Sequence, residues 1–106
     1  MNIDALDPNS PEWDDLGDLL GAYLHQDYDV VHGSPWSAIG AFRSENPTGA
    51  VSSASSAARR LAHEISDDDE GRRAVNKLGL DYYPPADGYT YRSWLLAVAD
   101  FLETGA

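Results

Sequence analysis

The chain has 106 residues, 42% of them hydrophobic, and sets seven Lys or Arg against 18 Asp or Glu, for a formal charge of -11. That length suits one hydrophobic core, and the apolar content sets intrinsic disorder aside. The charge opposes direct binding of nucleic acid or an anionic membrane and points to a basic partner, while the absence of Cys removes thiolate zinc sites, disulfides and thiol chemistry.

Met1 to Ser10 carry no basic region and no apolar run, so they read as neither a signal nor a transit peptide. No apolar stretch approaches the roughly 18–20 residues of a membrane span. The expectation is a soluble, cytoplasmic protein with one domain over residues 1–106, in which residues 1–9 form a flexible lead-in.

Ser10-Pro11 is a helix start, with Pro in the first helical position and acids suited to the positive end of the dipole. Trp13, Leu16, Leu19, Leu20, Tyr23 and Leu24 follow at three- and four-residue spacing, opposite Asp14, Asp15 and Asp18, and predict a first helix. Gly17 and Gly21 lie within that stripe and read as points of close helix packing. Ser34-Pro35 repeats the start signal, and Trp36, Ile39 and Phe42 carry a short second helix to Asn46-Pro47. Trp36 is assigned to the core.

From Pro47 to Ser66, Val51, Ala54, Ala58, Leu61 and Ile65 keep helical spacing. A Ser- and Ala-rich linker is the competing reading; helix is preferred because the spacing persists and small residues permit close packing. Ser66 to Leu78 opens with a short-acid variant of a capping box, Ser66-Asp67-Asp68-Asp69, and closes at Gly79. In Leu80 to Tyr89, Tyr82-Tyr83-Pro84-Pro85 and Asp87-Gly88 forbid regular helix and predict an ordered aromatic loop. Thr90 then caps a last helix whose core stripe is Tyr91, Trp94, Leu95, Val98, Phe101 and Leu102. With no alternating strand pattern, the fold class is all-α: a compact bundle of about five helices with two unusual loops.

The first of those loops, His25-Gln26-Asp27-Tyr28-Asp29-Val30-Val31-His32-Gly33, holds two imidazoles and two carboxylates. A metal-dependent enzyme on His25, Asp27, Asp29 and His32 is the chemical alternative. The spacing matches no strong metal motif, and local capping and hydrogen bonding account for the same residues. There is no Gly-x-Ser-x-Gly elbow and no phosphate-binding Gly-rich loop. Arg59-Arg60 and Arg72-Arg73 lie among acids and suit intramolecular ion pairs. The reading is a protein without enzymatic activity, metal or cofactor.

Two blocks carry a resemblance. Leu19-Leu20-Gly21-Ala22-Tyr23-Leu24-His25-Gln26-Asp27-Tyr28 with Gly33-Ser34-Pro35, and Leu80-Asp81-Tyr82-Tyr83-Pro84-Pro85-Ala86-Asp87-Gly88-Tyr89-Thr90-Tyr91-Arg92-Ser93-Trp94-Leu95, resemble the small immunity proteins of bacterial contact-dependent growth inhibition and related polymorphic toxin systems. The chain has Leu24 and Tyr28 where similar sequences often carry Phe and Trp. The resemblance implies an all-helical antidote that binds the C-terminal toxin domain of a cognate effector and blocks it in the cytoplasm; the chain is expected as a monomer or in a 1:1 complex with the toxin. It also implies a nuclease partner, a ribonuclease-A-like one first, whose basic cleft an acidic surface would mask. A general acidic adaptor for another basic protein is the remaining alternative. Candidate toxin-binding residues are Asp14, Asp15 and Asp18 on the first helix, His25, Asp27, Tyr28 and Asp29 in the first loop, Asp67 and Asp68, and Tyr82, Tyr83, Asp87 and Tyr89 in the aromatic loop.

Overall fold

The computed structural model describes residues 3–26 and 28–105, without the side chains of Asp4, Tyr28 and Asp29. Among the described residues it contains six α-helices and no strand: α1 (Asp14–Asp18), α2 (Tyr28–His32), α3 (Pro35–Glu45), α4 (Thr48–Glu64), α5 (Asp68–Lys77) and α6 (Tyr91–Thr104). The all-α expectation holds.

The helix expected from Pro11 onward is not one regular helix. Pro11–Trp13 form a 3₁₀ turn, α1 follows, and Leu19–Tyr23 widen into a π-helical turn closed by Leu24 N–H donating to the Leu19 carbonyl at 3.2 Å. The widened turn keeps Leu19, Leu20 and Leu24 buried and leaves the Leu24 carbonyl free to accept from Asp81 N–H at 3.2 Å. Gly21 makes this approach possible: a Cβ there would sit 3.3 Å from the Leu78 carbonyl oxygen. Gly17 has no such neighbour, so of the two glycines expected at close packing only Gly21 serves it.

The second correction is the His25 segment, expected as a loop, of which Tyr28–His32 form a short helix. Gly33 (φ 89°) ends it in the left-handed region, and Ser34 restarts the chain as α3, its Oγ accepting from Ser37 N–H at 3.1 Å. At the start of the chain Ile3 and Leu6 are buried, and Lys77 Nζ donates to both their carbonyls at 3.2 and 3.4 Å.

The Ser-rich segment is helical throughout as α4, and its pairing with α6 forms the centre of the bundle. Ala54, Ala58 and Ala62 of α4 and Val98 and Ala99 of α6 are fully buried, so small side chains let these two helices approach. Ser55, buried between them, donates from Oγ toward the Ala99 carbonyl (3.1 Å) and a Glu103 carboxylate oxygen (2.8 Å). Trp13, Phe42, Leu61, Trp94 and Leu95 fill the space around this pair.

The cap of α5 lies one residue further on than the sequence suggested. Asp67 is the N-cap and accepts from Glu70 N–H at 2.8 Å, while the Glu70 carboxylate reaches back to Ser66 N–H at 2.9 Å. Its end is a Schellman turn at Gly79 (φ 95°), with Leu80 N–H donating to the Val75 carbonyl and Gly79 N–H to that of Asn76, both 3.1 Å. Thr90 and Ser93 form the capping box of α6. No helix among the described residues is long and apolar enough to cross a membrane.

Candidate functional site

The two unusual segments meet in space although they are far apart in the chain. The Leu24–Asp81 hydrogen bond ties the end of the first helical stretch to the start of the aromatic loop. On the other side Trp36, at the start of α3, packs against Tyr89 with ring centroids 6.3 Å apart. His32 closes the α2 side, its ring stacked on Tyr23 at 5.8 Å. The Tyr23 hydroxyl donates to Glu45 at 2.8 Å, and this bond, with burial, raises its pKa from the ordinary value.

The aromatic loop is built from the inside. Pro84–Asp87 form a 3₁₀ turn that ends at Gly88 (φ 87°), as two adjacent prolines and a following Gly require. Tyr82 is buried, its ring 5.7 Å from that of Trp94, and its hydroxyl donates to the Asp87 carboxylate. These two candidate residues therefore pin the loop from within, and Tyr82 offers a partner almost no surface. Tyr83 points outward at 59% exposure, and Tyr89 is half-buried. Asp68 ties α5 to the start of α6, just after the loop, by accepting from Tyr91 N–H at 2.8 Å.

Three large apolar side chains are exposed among the described residues: Val30 at 83%, Val31 at 62% and Tyr83 at 59%. All three belong to the two segments, and the valines were missed from sequence because they sat inside a run read for its imidazoles and carboxylates. Asp27 lies outside the described residues, as do the side chains of Tyr28 and Asp29, three of the candidates. The metal alternative rests on two of these, and among the described residues no group of three or more His, Cys, Asp or Glu is placed to hold an ion. His25 is half-buried.

The electrostatics follow from where the cations go. Arg59 reaches Asp100 (2.8 Å) and Glu103 (2.9 Å), Arg60 reaches Glu12 (2.8 Å) and Glu64 (3.4 Å), and Arg72 and Arg73 both reach Asp69 (2.8 and 3.3 Å). The expected intramolecular pairing is thus seen in all four. These contacts lower the pKa of Asp69, chiefly through the Arg72 hydrogen bond, and that of Glu103, chiefly through Ser55 and then Arg59. The remaining cations serve main-chain carbonyls near helix ends: Arg43 that of Leu102, Arg92 those of Ala62 and Ile65, Lys77 those of Ile3 and Leu6. Asp14, Asp15, Asp18, Asp67, Asp68, Asp81 and Asp87 have no basic partner among the described residues. Asp14 and Asp18 are exposed and Asp15 half-buried on α1.

A small all-helical domain with a surplus of carboxylates that have no basic partner, beside two partly apolar segments, has the make-up of a protein-binding module. Residues 12–102 match the CdiI immunity protein family, and the chain belongs to it. Its function is accordingly that of an immunity protein, which binds and neutralises a cognate toxin. No curated protein and no solved structure matches the chain.

Proposed function

We propose that this immunity protein is a non-enzymatic, monomeric inhibitor that covers the basic active cleft of a nuclease toxin in the cytoplasm, one molecule to one. The observation that carries the reading is the disposition of charge. All seven Lys and Arg are engaged within the fold, while Asp14, Asp15 and Asp18 of α1, Asp67 and Asp68 at the start of α5, and Asp81 and Asp87 of the aromatic loop have no basic partner among the described residues. A nuclease holds a polyanion, so its cleft is basic, and a surface with this surplus is drawn to it and oriented by it. The resemblance puts a ribonuclease first among such toxins, and the ribonuclease-A-like type first among those.

The contact surface is read as Asp14, Asp15 and Asp18, the His25–Asp29 segment, Asp67 and Asp68, and the outward side of the aromatic loop at Tyr83 and Tyr89. Exposed Val30, Val31 and Tyr83 supply the apolar centre that an acidic rim alone lacks. The test is co-expression with the toxin domain encoded immediately beside this gene, followed by displacement of labelled RNA from the purified toxin. Growth rescue, co-purification and release of RNA on adding the immunity protein are the expected results. A stable complex in which the toxin still holds its RNA would overturn the occlusion reading.

A further inference from the structure

Trp36 was assigned to the core from its spacing, yet it is half-buried and lines an open groove of about 440 Å³ with Tyr89, Ala97, Asp100 and Phe101. The rings are held at angles to one another rather than stacked: Trp36 meets Tyr89 at 61° and Phe101 at 42°, with centroids 6.3 and 5.5 Å apart. The three aromatic residues line one open space, and an aromatic lining offers ring surface to a cation. Gly40 lies under Phe101, its missing Cβ 3.8 Å from the ring edge, so the ring is seated against the helix backbone.

The rim is negative. Asp100 is 67% exposed and shares the single Arg59 guanidinium with Glu103, so one positive charge stands against two negative ones. The chain contains the filled version of this arrangement: the Arg60 guanidinium lies 5.7 Å over the Trp13 ring while its Nη1 bonds Glu12 at 2.8 Å. At Trp36 the ring and the carboxylate are present, and among the described residues no arginine or lysine of the chain lies over the ring.

We propose that the groove of Trp36, Tyr89 and Phe101, with Asp100 at its rim, is the socket for an arginine side chain of the toxin. This deepens the proposed function and rests on it, since a basic partner supplies the arginine. A planar guanidinium stacks on indole and phenyl faces while its edge reaches a carboxylate, a combination that a compact ammonium does not match. The groove lies beside the aromatic loop, so an arginine seated there fixes the rotation of the toxin over the acidic surface, where charge alone sets only the approach.

The first arm of the test uses the unmodified protein and needs no toxin. Titration with N-acetylarginine amide, followed by NMR, is expected to shift the Trp36 indole and the Tyr89 and Phe101 ring signals along a saturable millimolar curve. The neutral isostere N-acetylcitrulline amide is expected to leave them unmoved. Equal responses to the two, or shifts confined to the rest of the acidic surface, would overturn the socket. The second arm measures affinity for the toxin domain. Trp36→Leu and Asp100→Asn are each expected to weaken binding by about 5- to 30-fold, with Trp36→Phe close to the parent. If Asp14, Asp15 and Asp18 changed together to Asn weaken binding while Trp36→Leu does not, the socket fails and the acidic reading stands. If association with the parent ignores salt, the acidic reading fails whatever the socket does.

Discussion

Gly71→Ala sets two effects of opposite sign against each other at the joint between α5 and the start of α6. Gly71 is buried inside α5 with ordinary helical φ, so Ala gains up to about 1 kcal/mol of helix propensity. The new Cβ would lie 2.7 Å from Tyr91 Cβ and 3.0 Å from Ile65 Cδ1. Carbon atoms settle at about 3.5–4.0 Å, which leaves an overlap of roughly 1 Å. Ile65 can rotate away, but Tyr91 Cβ is fixed to the first residue of α6, held by the Asp68 bond and the Thr90–Ser93 capping box. Overpacking of this kind costs about 1–3 kcal/mol, so the net expectation is a loss of up to about 2 kcal/mol. That corresponds to roughly 4–8 °C in the midpoint for each kcal/mol in a domain of this size. Gly17→Ala is the control: it meets nothing within 4 Å and should gain about 0.5–1 kcal/mol. Thermal and urea unfolding of both variants decide the matter. A Gly71→Ala midpoint raised in step with Gly17→Ala would refute the packing argument.

Thr90→Ala removes the acceptor for Ser93 N–H and should cost about 1 kcal/mol in urea unfolding; an unchanged midpoint would show that the box does not hold α6. Tyr82→Phe deletes the hydroxyl that donates to Asp87 and should cost about 0.5–1.5 kcal/mol, with faster amide exchange at Gly88 and Tyr89. Exchange unaltered there would mean that the loop is pinned by other contacts. Because the Glu103 carboxyl titrates below its ordinary value of 4.5 in the fold, its contribution to stability is complete above that value and is lost as pH falls through the lower, folded one. Glu103→Gln should therefore flatten the acid limb of the stability profile below about pH 4.5, and Ser55→Ala should move the Glu103 NMR titration upward. An acid limb unchanged by Glu103→Gln would sink that assignment. Changing Asp14, Asp15 and Asp18 to Asn should slow association with the toxin several-fold and leave dissociation nearly untouched; a change confined to dissociation would place them in tight contact instead.

Helix-start chemistry and apolar spacing made most of the fold legible. Ser34-Pro35, Thr90 and Gly79 act where their side chains or conformational freedom suggested, and the Ser-rich stretch is helix because Ala54, Ala58 and Leu61 bury against α6. What spacing could not report was the π-helical turn at Leu19–Tyr23, since an i to i+5 ladder shifts the apolar stripe by a single residue. Nor could it tell Trp36 from Trp94. Both recur with aliphatics, but Trp94 is fully buried with its ring against that of Tyr82, whereas Trp36 sits at the start of α3 and takes its cover in part from Tyr89, a residue from the other end of the chain. The site was half legible: the two motif segments were visible as sequence, and their meeting through Leu24 and Asp81 is a tertiary fact. Tyr82 illustrates the same limit, because a tyrosine in a Pro-rich loop looks like binding equipment until its hydroxyl is found turned inward on Asp87.

In the proposed function, carboxylates without a basic partner carry this immunity protein to the basic cleft of its toxin. The association rate of the purified chain with the cognate toxin domain, measured by stopped flow from low to high ionic strength, tests it most directly. Charge-steered association should be fast and should slow steeply as salt screens the charges, with much less change in dissociation. A rate indifferent to salt would contradict it.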